Sequence, residues 1–324
     1  MYKLSIFCLL TCFLAGVYFF KYKQDSSSKT LLIGTNVWMG YEAFYISKDK
    51  GLLNSKNTKM VEYGSATQVM RSFRNHIIDI AALTLDEALL LINEGHRLKI
   101  ISITDISNGG DVLIAKPEFT KTSQLRGKRV GCEASALGQY MLRRALAFSD
   151  MTIADVTVVD TSIDQHIYGY ENNHFDAVIT FDPARSNLIK KGGNTLFDSS
   201  LIPGEILDVV VVQEDVFLQY KSEVRNLIKI WFESLTFIQD NPRKSAILMS
   251  KRLRMDVDEI LESLSLIEQP NLKKCIDLMK NEDGIKSSIE NLSTIMSDLG
   301  IIDSHNIHSS EILETSLLEE IYSE

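Results

Sequence analysis

From residue 31 onward, short runs rich in Leu, Ile and Val alternate with amphipathic stretches, which restricts the chain to an α/β fold with mainly parallel strands. Residues 31–35 form a strand and residues 42–49 start a helix that Gly51 closes. The pairing recurs at residues 59–63 with 67–75 and at 78–83 with 86–93, followed by a strand at 98–104. The middle of the chain repeats the scheme with strands at 129–133, 156–159 and 176–181 and a helix at 136–147. Two apolar runs, 111–115 and 206–212, flank this part. The second is nearly continuous Val, as expected of a strand buried on both faces.

A length of 324 residues exceeds the usual ~100–150 of one domain, so two lobes are expected, joined by crossovers at the two flanking runs. The expected division is a membrane-targeting segment and linker at 1–29, lobe I at 30–115 and 205–324, and an inserted lobe II at 116–204. Beyond Lys221, residues Val224, Leu227, Ile228, Trp231, Leu235 and Ile238 keep a helical period up to Asn241-Pro242. Further helices are expected at 247–253, 257–266 and 285–298.

A formal net charge of -9 and scattered basic residues argue against a nucleic-acid groove, and no nucleic-acid partner is expected. Residues 4–20 are apolar and uncharged, bracketed by Lys3 and Lys21, and read as a membrane-targeting element. Three outcomes stay open for it: an uncleaved anchor, lipidation at Cys12, or cleavage. All three put the remainder of the chain outside the cytoplasm, in the periplasm or on the outer face of the membrane. Cys132 and Cys275 are expected to be separately buried thiols, and His305 and His308 lack a zinc-type setting, so no metal site is expected.

In open α/β sheets, ligands sit beyond the carboxyl ends of strands, where helix N-termini converge. Five such junctions are legible. They are residues 36–41 with Trp38, Gly40 and Tyr41; 64–67 with Ser65 and Thr67; 84–86 with Asp86; 134–138 with Ser135; and Phe181-Asp182-Pro183. Pro183 suits a first helical position and Asp182 can cap the helix behind it. Residues 105–111 add a long turn containing Ser107, Gly109 and Gly110.

Gly40-Tyr41, Gly51-Leu52, Ile78-Asp79-Ile80-Ala81, the 105–111 turn, the Leu125–Gly131 stretch and residues 176–183 occur in an order that resembles the nitrate/sulfonate/taurine and thiamine-pyrimidine class of periplasmic solute-binding proteins. The resemblance spans about residues 30 to 320. It implies a two-lobed type II periplasmic-binding-protein fold that closes on a small solute and delivers it, as a monomer, to an ABC permease and its ATPase. It places ligand contacts at Trp38, Gly40, Tyr41, Ser65, Thr67, Asp86, Ser107, Ser135 and Asp182, with Phe181 and Asp182 facing the cleft from the inserted lobe. Glu42 departs from the small or apolar residue the family has after its aromatic pair.

Carboxylates at Glu42, Asp86, Asp111 and Asp182 lack a basic residue in their own loops, although Arg71 and Arg74 lie within helical reach. With Trp38, Tyr41 and Phe181 available for stacking, an amine or nitrogen heteroaromatic is preferred over a sulfonate or nitrate held on helix N-termini. No catalysis and no cofactor are expected. Ser135 lacks the flanking glycines of a nucleophile elbow, and the cysteine-rich run of the fungal thiamine-pyrimidine enzymes is missing. The rival reading is an anchored sensing module that acts through a partner protein.

Overall fold

Apolar β-branched residues build eleven strands: β1 (Leu31–Thr35), β2 (Thr58–Glu62), β3 (Ile80–Thr84), β4 (Leu98–Ser107), β5 (Val112–Ala115), β6 (Arg129–Cys132), β7 (Thr157–Asp160), β8 (Ala177–Thr180), β9 (Asn194–Asp198), β10 (Leu207–Gln213) and β11 (Ile267–Glu268). They are seen in a computed structural model that describes residues 29–53, 57–303 and 307–324. The apolar run at 4–20, with Cys8 and Cys12, and also His305, lie outside the described residues. Among the described residues, no helix is long and apolar enough to cross a membrane.

Two sheets result, in the order β11-β4-β10-β3-β1-β2 and β7-β6-β8-β5-β9. β1 runs parallel to β2 and β3, and β6 runs parallel to β7 and β8, because a helix returns the chain between them. β10 lies antiparallel between β3 and β4, and β5 antiparallel between β8 and β9, so both sheets are mixed. These two strands enter their sheets from the other sheet and have no helical return to set them parallel. The chain leaves the first sheet after Ser107 and enters the second at Val112. It returns between Asp198 and Leu207. Residues 112–115 therefore pair within the second sheet.

Residues Val209 to Val212 of β10 are fully buried, as a strand covered on both faces should be. The helix Lys221–Asp240 lays its apolar stripe on the helix Glu42–Asp49, with the Trp231 and Phe44 rings 4.4 Å apart. The next helix begins at Pro242, five residues earlier than the apolar run suggests, because proline at the first position needs no backbone donor. Three elements have no clear sequence signal. β11 has only two residues, β9 opens on polar Asn194 and Thr195, and the helix Leu272–Lys280 is only one-sidedly apolar. Cys132 and Cys275 are free and buried, and Cys275 Sγ accepts from the Ile103 amide at 3.4 Å.

Candidate functional site

The carboxyl ends of the parallel strands of both sheets meet at one cleft, which holds about 550 Å³ of atom-free space, part of it open to solvent. The first sheet contributes Asn36, Trp38, Tyr41, Ala66, Thr84 and Glu87, and Asp208 from β10. Asp111 of the crossing segment joins them. From the second come Glu133, Ser135, Leu137, Gly138, His166, Ile179 and Phe181.

After β1 the chain turns through a short 3-10 helix, Met39–Tyr41, that seats two aromatic rings. Trp38 Nε1 donates to Asp105 Oδ1 at 3.1 Å, and the Tyr41 hydroxyl donates to Asp208 Oδ1. Phe181, at the end of β8, meets Trp38 edge to face at 5.4 Å and 90°. Gly40 lies between these contacts, and a Cβ there would stand 1.8 Å from Asp105 Oδ2 and 2.5 Å from Trp38 Nε1. Gly40→Ala should therefore break the Trp38 to Asp105 bond and lower stability by about 1–3 kcal/mol, the cost of overpacking. Urea unfolding together with near-ultraviolet dichroism of the tryptophan reads this, and an unchanged spectrum would contradict it.

Three helix N-termini point at the cleft, each capped. Ser65 Oγ accepts from the Gln68 amide at 3.3 Å and Ser135 Oγ from the Gly138 amide at 3.0 Å. Thr84 and Glu87 form a capping box in which Glu87 Oε2 accepts from the Thr84 amide at 3.2 Å. Thr67 is exposed and donates to Glu133 Oε1 through its amide at 3.2 Å and its hydroxyl at 2.9 Å, linking a helix start of the first sheet to the loop after β6 of the second.

Five carboxylic acids crowd the cleft and the layer behind it: Asp86, Glu87, Asp105, Asp111 and Asp208, none more than 3% exposed. Burial pushes the acid of Asp86 up to about 6 and those of Asp105 and Asp111 up to about 7. Burial, reinforced by the neighbouring acids, also raises Glu87 and Asp208 well above the carboxylate range. Asp86 Oδ2, Glu87 Oε1 and Asp111 Oδ2 have no hydrogen-bond partner among the described residues. The described lining contains no Lys or Arg side chain. His166 Nε2 lies 3.1 Å from the Thr161 carbonyl, to which it donates, and its Nδ1 accepts from Thr180 Oγ1 at 3.0 Å. Burial lowers this imidazole to about 4, so it is neutral.

Of the residues expected at the site, Trp38, Tyr41, Ser135 and Phe181 line the cleft, with Gly40 behind the aromatic pair. Ser65 caps the helix whose Ala66 is on the wall, and Asp86 lies beside Glu87. Ser107 is directed elsewhere, sharing a 2.8 Å bond with Ser199 and accepting from the Asp111 amide at 3.3 Å where the chain crosses between sheets. Two of the acids expected to lack a basic partner have one, Glu42 from distant sequence and Asp182 from one helical turn onward. Glu42 is buried in an ion pair with Arg252, which also holds Glu62 at 2.7 Å and lies over the Tyr45 ring. Asp182 accepts from the Ser186 amide at 2.8 Å, from Arg185 at 3.4 Å and from the Ser263 hydroxyl. Arg74 binds Glu94 and is not a partner for the cleft.

Asp182→Asn should thus act on the fold: it keeps an acceptor for Ser186, loses the charge facing Arg185, and lowers stability by about 1 kcal/mol with solute affinity unchanged. Calorimetric titration of the variant beside its melting curve separates the two effects. Glu87, which looks like an ordinary capping-box acid, and Glu133 and His166 line the cleft without a local sequence signal. Asp208 left a usable signal, since a lone acid at the start of a Val-rich strand has to be paired or protonated.

A family model described as the NMT1-like family matches residues 24–250. A protein of Brucella abortus whose name calls it a candidate binding protein is 22% identical over 236 residues, covering 68% of this chain and 72% of the relative. Among solved structures, the alkanesulfonate-binding protein SsuA of Xanthomonas axonopodis pv. citri, bound to MOPS, superposes with a TM-score of 0.74 at 15% identity, covering 89% of this chain and 98% of that one. The ligand-binding component of an ABC-type import system from Staphylococcus aureus gives 0.74 at 14% identity, with coverage of 90% and 99%. The desulfurization enzyme DSZB gives 0.66 at 12% identity, with coverage of 90% and 99%. The fold is that of the periplasmic binding proteins.

Proposed function

This chain belongs to the NMT1-like family, and from that membership and its acid-lined cleft we propose that it is the extracytoplasmic solute-binding component of an ABC importer. It works as a monomer held at the membrane through residues 4–20 and hands its solute to a permease coupled to an ATPase. Lobe I is formed by residues 30–107 and 207–324 and lobe II by residues 112–198; the boundary lies a few residues earlier than the sequence suggests because β5 pairs with β8 and β9. The segments that cross between the sheets, near residues 108–111 and 199–206, act as the hinge. Support comes from the position of the cleft, whose walls are strand ends of both sheets, so that a ligand there touches both.

The solute is an amine or a nitrogen heteroaromatic. The observation behind this is that buried Glu87, Asp111 and Asp208 line the cleft beside Trp38, Tyr41 and Phe181, with Asp86 and Asp105 buried behind them and no Lys or Arg on the described lining. A sulfonate would meet those acids without a positive partner, although capped helix N-termini offer it some amide dipoles. Binding is favoured over catalysis because His166 has both ring nitrogens engaged and burial pushes the Cys132 thiol up to about 12. A thermal-shift screen against amines, pyrimidines, sulfonates and nitrate tests the reading. A specific ligand at a hundredfold excess over its Kd adds about 2.7 kcal/mol. Stabilisation by sulfonates alone would refute the solute class.

A further inference from the structure

We propose that Glu87 and Asp111 are the two carboxylates that receive a cationic solute, and that the cleft takes up the cation in exchange for a proton. This rests on the solute-binding reading above and specifies its chemistry.

The five buried acids are not equivalent. Asp105 and Asp208 accept from Trp38 and Tyr41, so they fix the two rings and have a donor already. Asp86 is buried beside the cleft and is not on its lining. Glu87 and Asp111 are both on the lining, 1% and 3% exposed, and each has one carboxyl oxygen without a donor among the described residues. The second oxygen of Glu87 is taken by the Thr84 amide, which fixes the direction of the carboxyl group. A buried oxygen with no donor is unfavourable, and N–H groups of a bound solute would satisfy both.

The groups around them have no positive charge to offer. Tyr41, Asp86, Asp105 and Asp208 face them from the side of the first sheet. Glu133, bonded to Thr67, and neutral His166 face them from the other. Nearby arginines are already paired: Arg144 with Glu205 at 2.8 Å and Arg185 with Asp182. Carboxyl groups packed this closely out of water cannot all be ionised, and some of them hold protons at neutral pH. Their pKa values, raised by burial, agree with this. An entering cation supplies the missing positive charge. One proton leaves to solvent for each cation bound, so the charge of the site is unchanged. The edge-to-face pair of Trp38 and Phe181 provides rings to flank such a ligand, which points to a compact cation with at least two N–H donors.

Methylguanidinium chloride serves as the probe and sodium methanesulfonate as its anionic counterpart. The full chain is titrated calorimetrically with each at pH 5.5, 6.5 and 7.5, in buffers of different ionisation heat. Methylguanidinium should bind about tenfold more tightly per pH unit over the lower part of this range, releasing about one proton. Glu87→Gln keeps the cap, and Asp111→Asn keeps the shape. Each should weaken binding by tenfold or more and reduce proton release, while the melting curve confirms folding. Binding with no pH dependence, or unaltered binding by both variants, overturns the proposal and leaves the solute-binding reading intact. Absence of methylguanidinium binding up to 10 mM overturns it as well, and preference for methanesulfonate would make this a binding protein for anions. The solute-binding reading itself fails only if the wider screen finds no stabilising small molecule.

Discussion

Trp231→Ala should lower the unfolding free energy by about 3–5 kcal/mol, the range for removing a large aromatic ring from a packed core. The side chain is fully buried on the long Lys221–Asp240 helix and touches Phe44 of the Glu42–Asp49 helix. That second helix follows directly on the segment bearing Trp38 and Tyr41, so the cavity would loosen the site as well as the fold. Trp231→Phe retains a ring and should cost less than half as much, because the indole Nε1 has no hydrogen-bond partner among the described residues to lose. Urea denaturation with the slope m held common to all variants gives the comparison. A loss below 1 kcal/mol for Trp231→Ala would mean that the two helices do not depend on this contact.

The ligand-free protein should also become less stable as the pH rises from 5 to 8. Asp86, Asp105 and Asp111 titrate near 6, 7 and 7 when folded and near 3.8 when unfolded, because burial disfavours their ionised forms. Between those limits the folded state holds more protons than the unfolded chain, so stability is greatest below the unfolded values and declines as pH climbs through the folded ones. His166 opposes this. Its folded value near 4 lies below the ordinary 6.5, so it adds stability as pH rises to about 6.5. The ion-paired, half-buried acids with lowered values, such as Glu214 and Glu259, gain their stability at lower pH and leave the window above 5 clear. Glu87 and Asp208, also raised by burial, add to the decline, which should amount to several kcal/mol on the scale of ~1.4 kcal/mol per proton and pH unit. Calorimetric melting at pH 5, 6.5 and 8 measures it. The Glu87→Gln, Asp111→Asn double variant should flatten the decline, and a flat profile in the parent protein would mean that water reaches these acids.

The alternation of β-branched runs with amphipathic helices, together with the capping residues at their joints, is legible from the chain itself. Strand period, helix period and cap chemistry are properties of residues a few positions apart. For that reason local sequence alone assigns Trp38, Tyr41, Ser135 and Phe181 to strand ends. Which acids remain without a partner is a different kind of fact. Glu42 meets Arg252 and Asp182 meets Ser263, partners that only the folded chain brings within reach. Glu87 looks like a routine cap until the second sheet closes over it, and Asp208 looks like an interruption in an apolar strand until Tyr41 reaches it. Burial and pairing over long sequence distances set the charge of a carboxyl group. The location of the site is therefore written in local sequence, and its electrostatic character is decided by tertiary packing.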